Sequence, residues 1–167
     1  MKVLKDILYK VSVNSVFGST DISISGITFD SRKVESNFIY VAQKGVQVDG
    51  HSYIDSSLDK GASVIVCEEV PKNKKENITY IEVNNSQQAL AIMTSNFYDT
   101  PSSKLKLVGV TGTNGKTTIV SLLYQLFKKA GYRTGLLSTV KVMVDNEEYS
   151  ATHTTPDSIS INRYLDL

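Results

Sequence analysis

A glycine-rich loop at residues 112–118 has the residue types that bind a nucleotide. It lies between the apolar run 105–110 and a helical pattern of apolar residues. Glycines let backbone N–H groups turn towards phosphate oxygens, and the N-terminus of a helix adds partial positive charge. Lys116 would add a full charge, and the Thr117 hydroxyl could bind a Mg²⁺ ion that bridges nucleotide phosphates. The predicted phosphate-binding residues are Gly112, Thr113, Asn114, Gly115, Lys116, Thr117 and Thr118.

The spacing of this loop departs from the common phosphate-loop pattern G-x-x-x-x-G-K-[ST]. The first glycine of that pattern would stand where the sequence has Val110, whereas Gly109 comes earlier and Gly112 later. The simpler interpretation is a glycine turn before a helix, with a solvated lysine. The position between a predicted strand and a predicted helix favours phosphate binding.

Two segments of the first half carry polar residues that could contact a ligand. Residues 30–32, Asp-Ser-Arg, form either a strand-end turn with a solvated or ion-paired Arg32, or a ligand contact made by Ser31. Residues 46–48, Val-Gln-Val, either contact a ligand or fold back onto their own domain. His51 is expected to be structural or solvated, because no nucleophile or metal ligand stands at a suggestive spacing.

A third polar segment stands near residue 155. Thr154 and Thr155 precede Pro156 and Asp157. The two threonines could cap a helix that has Pro156 in its first turn and Asp157 near its positive end. A helix N-terminus also binds anions, so capping and ligand binding are compatible.

The elements that position these residues alternate between strands and helices, which predicts an α/β layered fold. Apolar runs and alternation predict strands at 22–29 with a bulge at Gly26, and at 38–42, 63–67 and 79–83. Helical spacing predicts a short helix within 3–11, a helix over 52–60 that stops at Gly61, and a helix that starts at Asn85 or Ser86. The inner face of this last helix is predicted to hold Ala89, Leu90, Met93 and Phe97.

A change of composition at residues 98–104, YDTPSSK, predicts a domain boundary. Beyond it we expect a buried strand at 105–110, a helix that closes at Gly131, a strand at 134–139 and a hairpin that turns at Asp145–Asn146. One strand–loop–helix unit with a few further strands cannot bury both faces of its sheet. We therefore expect a fragment of a longer protein, the alternative being a tail packed against the first domain.

The composition argues against several classes of protein. The 167 residues carry a net charge of +1, and the nine tyrosines form no stacking motif, so nucleic-acid binding is not expected. The single cysteine, Cys67, excludes an internal disulfide and is interpreted as an inert core residue. The N-terminus lacks the apolar core of a signal peptide, and no apolar run is long enough to span a bilayer. We expect a soluble, cytoplasmic protein with no membrane partner.

Four motifs together resemble those of the Mur ligases, the cytoplasmic enzymes that build the stem peptide of peptidoglycan. Residues 101–118, PSSKLKLVGVTGTNGKTT, are similar to their domain junction and ATP loop. Residues 28–32 resemble their D-S-R segment, residues 38–54 their F-V-A…G…D-G-H…I stretch, and residues 154–157 their T-T-P-[DE] turn. Folylpolyglutamate synthases share only a similar loop, and the ligase that adds the terminal dipeptide typically lacks T-T-P-D. The resemblance is therefore to the branch that adds the third residue.

This resemblance implies an amide-forming ligase. ATP, with Mg²⁺, would phosphorylate the terminal carboxylate of UDP-N-acetylmuramoyl-L-Ala-D-Glu, and the amine of a diamino acid would attack the acyl phosphate. The expected diamino acid is meso-diaminopimelate, the commoner choice in the family, and L-lysine is the alternative. It implies a small mixed-sheet uridine-binding domain over residues 1–100, followed by the first strand–loop–helix part of a P-loop ATPase domain over 101–167. It assigns a catalytic role to Lys116. It assigns binding of the UDP-muramyl-peptide to Phe29, Ser31, Val46, Gln47, Val48, Thr154 and Thr155.

The resemblance also implies that several functional parts of the family lie beyond Leu167. These are a metal-binding glutamate, a carbamylated lysine and the domain that selects the amino acid, so residues 1–167 alone should not catalyse ligation. The protein is expected to be a monomer, and no role is transferred to His153 or Arg32. Two other functions stay open: a non-catalytic module that senses ATP or a UDP-sugar, and a P-loop kinase, although residues 136–167 offer no obvious catalytic acid or base.

Overall fold

The computed structural model describes residues 1–45, 48–150 and 156–167. The chain forms two compact units, Met1–Asp99 and Thr100–Leu167. Within the described ranges, every helix is too short or too polar to cross a membrane.

A five-stranded mixed sheet forms the centre of the first unit. Its strands are β2 (Val13–Phe17), β4 (Gly26–Thr28), β5 (Phe38–Val41), β6 (Ala62–Cys67) and β7 (Thr79–Val83). They lie in the order β2–β7–β6–β5–β4, in which β4 to β7 are parallel neighbours and β2 pairs antiparallel with β7. A second, two-stranded sheet joins β1 (Lys2–Val3) to β3 (Ser23–Ile24). The strands predicted at 38–42, 63–67 and 79–83 are confirmed.

Three helices complete the first unit, namely α1 (Leu4–Ile7), α2 (Ile54–Asp59) and α3 (Ser86–Phe97). Helix α3 begins as predicted, because the side chain of Asn85 accepts a hydrogen bond from the backbone N–H of Gln88. Helix α2 ends before Gly61, whose φ of 104° suits a residue without a side chain. Two 3-10 helices, Ser31–Lys33 and Gly50–Tyr53, lie between the strands and helices.

Both faces of the central strands are buried, which explains their continuous apolar runs. One face contributes a cluster that includes Tyr40, Ile65 and Tyr80. The alternate residues, such as Val66, are buried just as completely on the other face. Cys67 belongs to the first cluster, and burial raises the pKa of its thiol to about 12, so it stays protonated as an inert core residue.

The structure differs from the sequence predictions near the N-terminus. The predicted helix within 3–11 is limited to α1, because Val3 pairs with Ser23 in a strand. Strand β2 was missed, because it is a largely exposed edge strand in which Asn14 and Ser15 interrupt the apolar residues, and it pairs only with β7. The strand predicted at 22–29 divides at Ser25 into β3 and β4, which belong to different sheets.

The second unit contains α4 (Lys116–Lys129), α5 (Ser158–Asp166) and a three-stranded antiparallel sheet. The strands are β8 (Gly135–Leu137), β9 (Lys141–Val144) and β10 (Glu147–Ser150), in the order β10–β9–β8. The predicted hairpin is confirmed, and Asp145 in its turn has a φ of 51°. The core of the second unit includes Tyr124, Leu136 and Val142.

The prediction of a buried strand at 105–110 is wrong. These residues pair with no strand in the described part of the chain, and Leu107 and Val108 are 62% and 63% exposed. A strand requires a neighbour that satisfies its backbone hydrogen bonds. Strand β8, the nearest candidate in sequence, pairs instead with β9. An apolar run therefore indicates a tendency to form a strand, but it does not determine which segment the strand pairs with.

Helix α5 is capped by Asp157. Its carboxylate accepts hydrogen bonds from the backbone N–H groups of Ile159 and Ser160, each at 2.9 Å. Pro156 therefore precedes the cap. The expectation that Pro156 lies in the first turn of the helix is wrong. Thr154 and Thr155 lie outside the described residues.

Candidate functional site

The glycine loop leads directly into α4, as predicted. Gly112 and Gly115 have φ values of 146° and 79°, which side chains strongly disfavour. Gly115 is the N-cap residue of α4, and its carbonyl accepts the first helical hydrogen bond, from Ile119 N–H at 2.9 Å. The two glycines thus turn the chain directly into the positive end of a 14-residue helix.

Lys116 folds over this loop. Its ammonium donates hydrogen bonds to the carbonyl oxygens of Gly112, at 2.5 Å, and Thr113, at 3.3 Å. Thr113 and Asn114 are exposed. Thr117, which follows Lys116 in the chain, is half-buried. The loop therefore presents a cation beside exposed backbone at a helix N-terminus, which is an arrangement that binds phosphate.

Within the Asp30-Ser31-Arg32 turn, the side chains of Asp30 and Arg32 form an ion pair with each other. Asp30 Oδ1 accepts hydrogen bonds from the backbone N–H and the Nε of Arg32, at 3.0 and 2.9 Å, and Oδ2 accepts one from Nη2 at 2.9 Å. The hydrogen bonds from the Arg32 side chain are the main cause that lowers the pKa of Asp30 to about 2. Arg32 therefore pairs with a neighbouring carboxylate, one of the alternatives left open by the sequence.

Removing this guanidinium should raise the pKa of Asp30. We expect Arg32→Ala to move that pKa from about 2 towards the ordinary value of 3.8. Because folding lowers this pKa, the pair stabilises the fold fully above 3.8, and that contribution is lost as the pH falls towards about 2. A ¹³C NMR titration of the Asp30 carboxyl tests this, with Lys33→Ala as the control for loss of a neighbouring charge. An unchanged pKa in Arg32→Ala would contradict it.

After β5, residues 44–45 pair with residues 48–49, and these paired residues are here called the 44–49 hairpin. Lys44 and Asp49 form an antiparallel bridge, and Gly45 N–H donates to Val48 O at 3.0 Å. At its base Gly50 N–H donates to Gln43 O at 2.8 Å. A Cβ atom at Gly50 would lie 2.7 Å from the Gln43 nitrogen, so this close approach requires glycine. Val48 is 55% exposed, whereas Val46 and Gln47 lie outside the described residues.

His51 connects this hairpin to the next strand. Its Nδ1 lies 2.6 Å from Asp49 Oδ1, and its Nε2 accepts hydrogen bonds from the backbone N–H groups of Glu68, at 3.1 Å, and Glu69, at 3.4 Å. These contacts confirm the structural interpretation of His51. Sequence reasoning missed Glu68, whose carboxylate accepts hydrogen bonds from the N–H and hydroxyl of Ser86 at the start of α3. In the sequence, only the D-G-H motif could have drawn attention to this contact, because Glu68 stands 17 residues after His51.

The fold brings part of the predicted site to one edge of the sheet. Phe29 and Ser31 follow β4, and the 44–49 hairpin with Val48 follows β5. Since β4 and β5 are parallel neighbours, their carboxyl ends meet at the same edge. Ligands of open α/β sheets bind at this edge, which is consistent with the predicted contacts of Phe29, Ser31 and Val48. Their binding roles stay predictions.

Two family models match the chain. The Mur ligase family catalytic domain matches residues 23–98, and the Mur ligase middle domain matches residues 110–167. The matched ranges fall in the first and the second compact unit, respectively.

Two curated relatives are named UDP-N-acetylmuramoyl-L-alanyl-D-glutamate--2,6-diaminopimelate ligase. The protein of Cytophaga hutchinsonii is 56% identical over 163 residues, which cover 97% of this chain and 34% of that protein. The protein of Phocaeicola vulgatus is 49% identical over 162 residues, with the same coverage. The chain therefore spans about a third of the length of these relatives.

Solved structures confirm the predicted α/β fold class. A ligase of the same name as these relatives matches 99% of this chain with 33% of its own, at a TM-score of 0.71 and 21% identity. MurF from Acinetobacter baumannii matches 98% of this chain with 32% of its own, at a TM-score of 0.64 and 18% identity. MurF ligase from Thermotoga maritima, solved in complex with ADP, matches 68% of this chain and 25% of its own at 30% identity, with a TM-score of 0.50.

Proposed function

This chain belongs to the Mur ligase family, and on that basis we propose that it is the nucleotide-binding part of an ATP-dependent amide ligase. The reaction is the addition of meso-diaminopimelate to UDP-N-acetylmuramoyl-L-Ala-D-Glu. The observation that carries the proposal is the 56% identity to a ligase named for this reaction, because it extends over 97% of the chain and so covers both units. We also propose that the protein acts in the cytoplasm, because ATP and nucleotide-linked precursors are available there.

The second unit supplies the ATP site in this proposal. Backbone N–H groups of the 112–118 loop and the N-terminus of α4 bind the phosphates, and the Lys116 ammonium neutralises charge on the transferring phosphoryl group. The ADP complex of MurF ligase from Thermotoga maritima supports nucleotide binding, since that protein is 30% identical over 68% of this chain.

A Mg²⁺ ion fits this site only together with the nucleotide. In the described residues no group of three or more His, Cys, Asp or Glu could hold a metal ion. The Thr117 hydroxyl is a hard oxygen ligand in the first turn of α4, and Mg²⁺ commonly combines few protein ligands with phosphate oxygens and water. When bound, the ion would offset negative charge on the phosphates, and Lys116 would do so from the protein side.

The first unit holds the UDP-muramyl-peptide in this proposal. Phe29 offers exposed aromatic surface, Ser31 a small hydroxyl and Val48 an exposed apolar contact at one edge of the sheet. Val46, Gln47, Thr154 and Thr155 are proposed contacts on the grounds of the family motifs alone. The protein is proposed to act as a monomer.

Two measurements test this function. Titration of UDP-N-acetylmuramoyl-L-Ala-D-Glu into the ¹⁵N-labelled chain should shift the amide signals of Ser31 and Val48, while UDP-glucose should shift them less. The complete gene product, supplied with this substrate and Mg-ATP, should incorporate meso-diaminopimelate in preference to L-lysine. Preferred incorporation of L-lysine would overturn the choice of amino acid. Binding of ATP with no incorporation of either would overturn the ligase in favour of a nucleotide-sensing module.

A further inference from the structure

His51 joins the 44–49 hairpin to the end of β6, through Asp49 on one side of its ring and the backbone of Glu68 on the other. The hairpin's own hydrogen bonds close its base, and Tyr40 Oη donates to Gly50 O at 2.9 Å. The ion pair of Lys44 with Glu69, at 2.6 Å, lies on the surface, where such pairs contribute little. The His51 side chain, in contrast, is only 14% exposed.

The contacts of His51 require one form of its ring. Asp49 carries a carboxylate that only accepts, so the ring nitrogen 2.6 Å away, Nδ1, must carry the proton. Nε2 faces the backbone N–H groups of Glu68 and Glu69, which only donate, so Nε2 must be unprotonated. The neutral imidazole with its proton on Nδ1 is therefore the form that satisfies all these groups.

We propose that His51 is a positioning residue for the UDP-muramyl-peptide, because its neutral imidazole fixes the 44–49 hairpin against the carboxyl end of β6. The connection continues through Glu68, which binds Ser86 at the start of α3. The hairpin carrying Val48 is thereby fixed to the frame of β6 and α3 before any ligand arrives. A loop already fixed in its bound conformation loses less entropy on binding. The ligand in this inference rests on the proposed function.

Protonation of His51 should release this connection. A cationic ring would present an N–H group to the N–H groups of Glu68 and Glu69, so both hydrogen bonds would be lost. The charged groups around the ring are the Asp49 carboxylate, which contacts Nδ1, and those of Glu68 and Glu69, whose backbone N–H groups contact Nε2. Lys44 pairs with the Glu69 carboxylate. Hydrogen bonds lower the pKa of all three carboxyls, so all three are negatively charged near the ring.

The test compares His51→Ala and His51→Gln with wild type. The amide of glutamine is neutral at every pH and offers a donor and an acceptor, so it can replace part of the contacts. We expect His51→Ala to weaken binding of UDP-N-acetylmuramoyl-L-Ala-D-Glu about tenfold, and His51→Gln to weaken it less. Lys75→Ala, which removes a surface ion pair with Asp59 in the same unit, is the matched control and should bind like wild type.

Acidification provides a readout that a purely structural role would not give. Affinity of wild type for the UDP-muramyl-peptide should fall as the imidazole becomes protonated, while that of His51→Gln should stay level. Hydrogen exchange of the Glu68 amide should accelerate over the same pH range in wild type. This comparison needs no alanine variant, so it decides the inference even if His51→Ala fails to fold.

The outcomes separate this inference from the proposed function. Equal affinity of wild type and His51→Ala, or equal pH profiles of wild type and His51→Gln, would overturn the positioning role. If wild type binds no UDP-muramyl-peptide, the proposed function fails and the role of His51 in binding that ligand fails with it. The exchange of the Glu68 amide would then still show whether His51 holds the hairpin.

Discussion

Replacing Lys116 with alanine should lower the rate of ligation by the complete gene product at least about a hundredfold, the loss typical of removing one group that stabilises a transition-state charge. Lys116 is the only cation inside the 112–118 loop, and its ammonium lies within 2.5 Å of the Gly112 oxygen. Charge that develops on the transferring phosphoryl group would lose this neutralising partner. The measurement is the rate of meso-diaminopimelate incorporation at saturating substrates, together with ATP affinity by calorimetry.

Lys129→Ala is the matched control for this experiment. Lys129 is the last residue of the same helix, α4, and is exposed, so its replacement removes an equal charge far from the loop. Its rate of incorporation should stay close to that of wild type. If Lys116→Ala and Lys129→Ala retained similar rates, the loop would not take part in catalysis, and the alternative of a glycine turn with a solvated lysine would be preferred.

Val66→Ala should lower the free energy of unfolding of the first unit by about 2–3 kcal/mol, because it removes buried methyl groups and leaves a cavity. Val66 lies in β6 between β5 and β7, where it pairs with Val41 and Ile81, and its side chain is 0% exposed. The neighbouring strands cannot move inward to fill the space, because both faces of this sheet are packed. Urea denaturation followed by circular dichroism gives the change.

Val16→Ala provides the same chemical change at the edge of the same sheet. Val16 lies in β2 and is 41% exposed, so we expect a loss below about 1 kcal/mol. Equal losses in the two variants would show that β6 is not the rigid centre of the unit. That result would also weaken the inference about His51, since the hairpin is fixed to the end of this strand.

The local elements of this protein were largely predictable from its sequence. The runs at 38–41 and 62–67 are almost entirely apolar. A strand without polar alternation is typically covered on both faces, so the burial of these two strands followed from their composition. Asn85 indicated the start of α3, and the 112–118 loop indicated a turn into α4, because caps and glycine turns depend on residues close in sequence. The family motifs likewise lie in short contiguous segments.

Pairing between distant segments was decided by the tertiary structure. The run 105–110 has the composition of a strand but pairs with no strand in the described residues. Strand β2 has no continuous apolar run and exists because β7 pairs with it. A strand depends on hydrogen bonds to another segment, and its own residues do not encode which one.

The same distinction applies to the candidate site. The sequence by itself determined which residues could bind phosphate, namely the glycines of the 112–118 loop and Lys116. Only the folded chain showed that His51 accepts hydrogen bonds from the end of β6 and that Glu68 continues this connection to Ser86. Those groups are 17 and 18 residues apart in sequence and become neighbours because parallel strands place their carboxyl ends side by side.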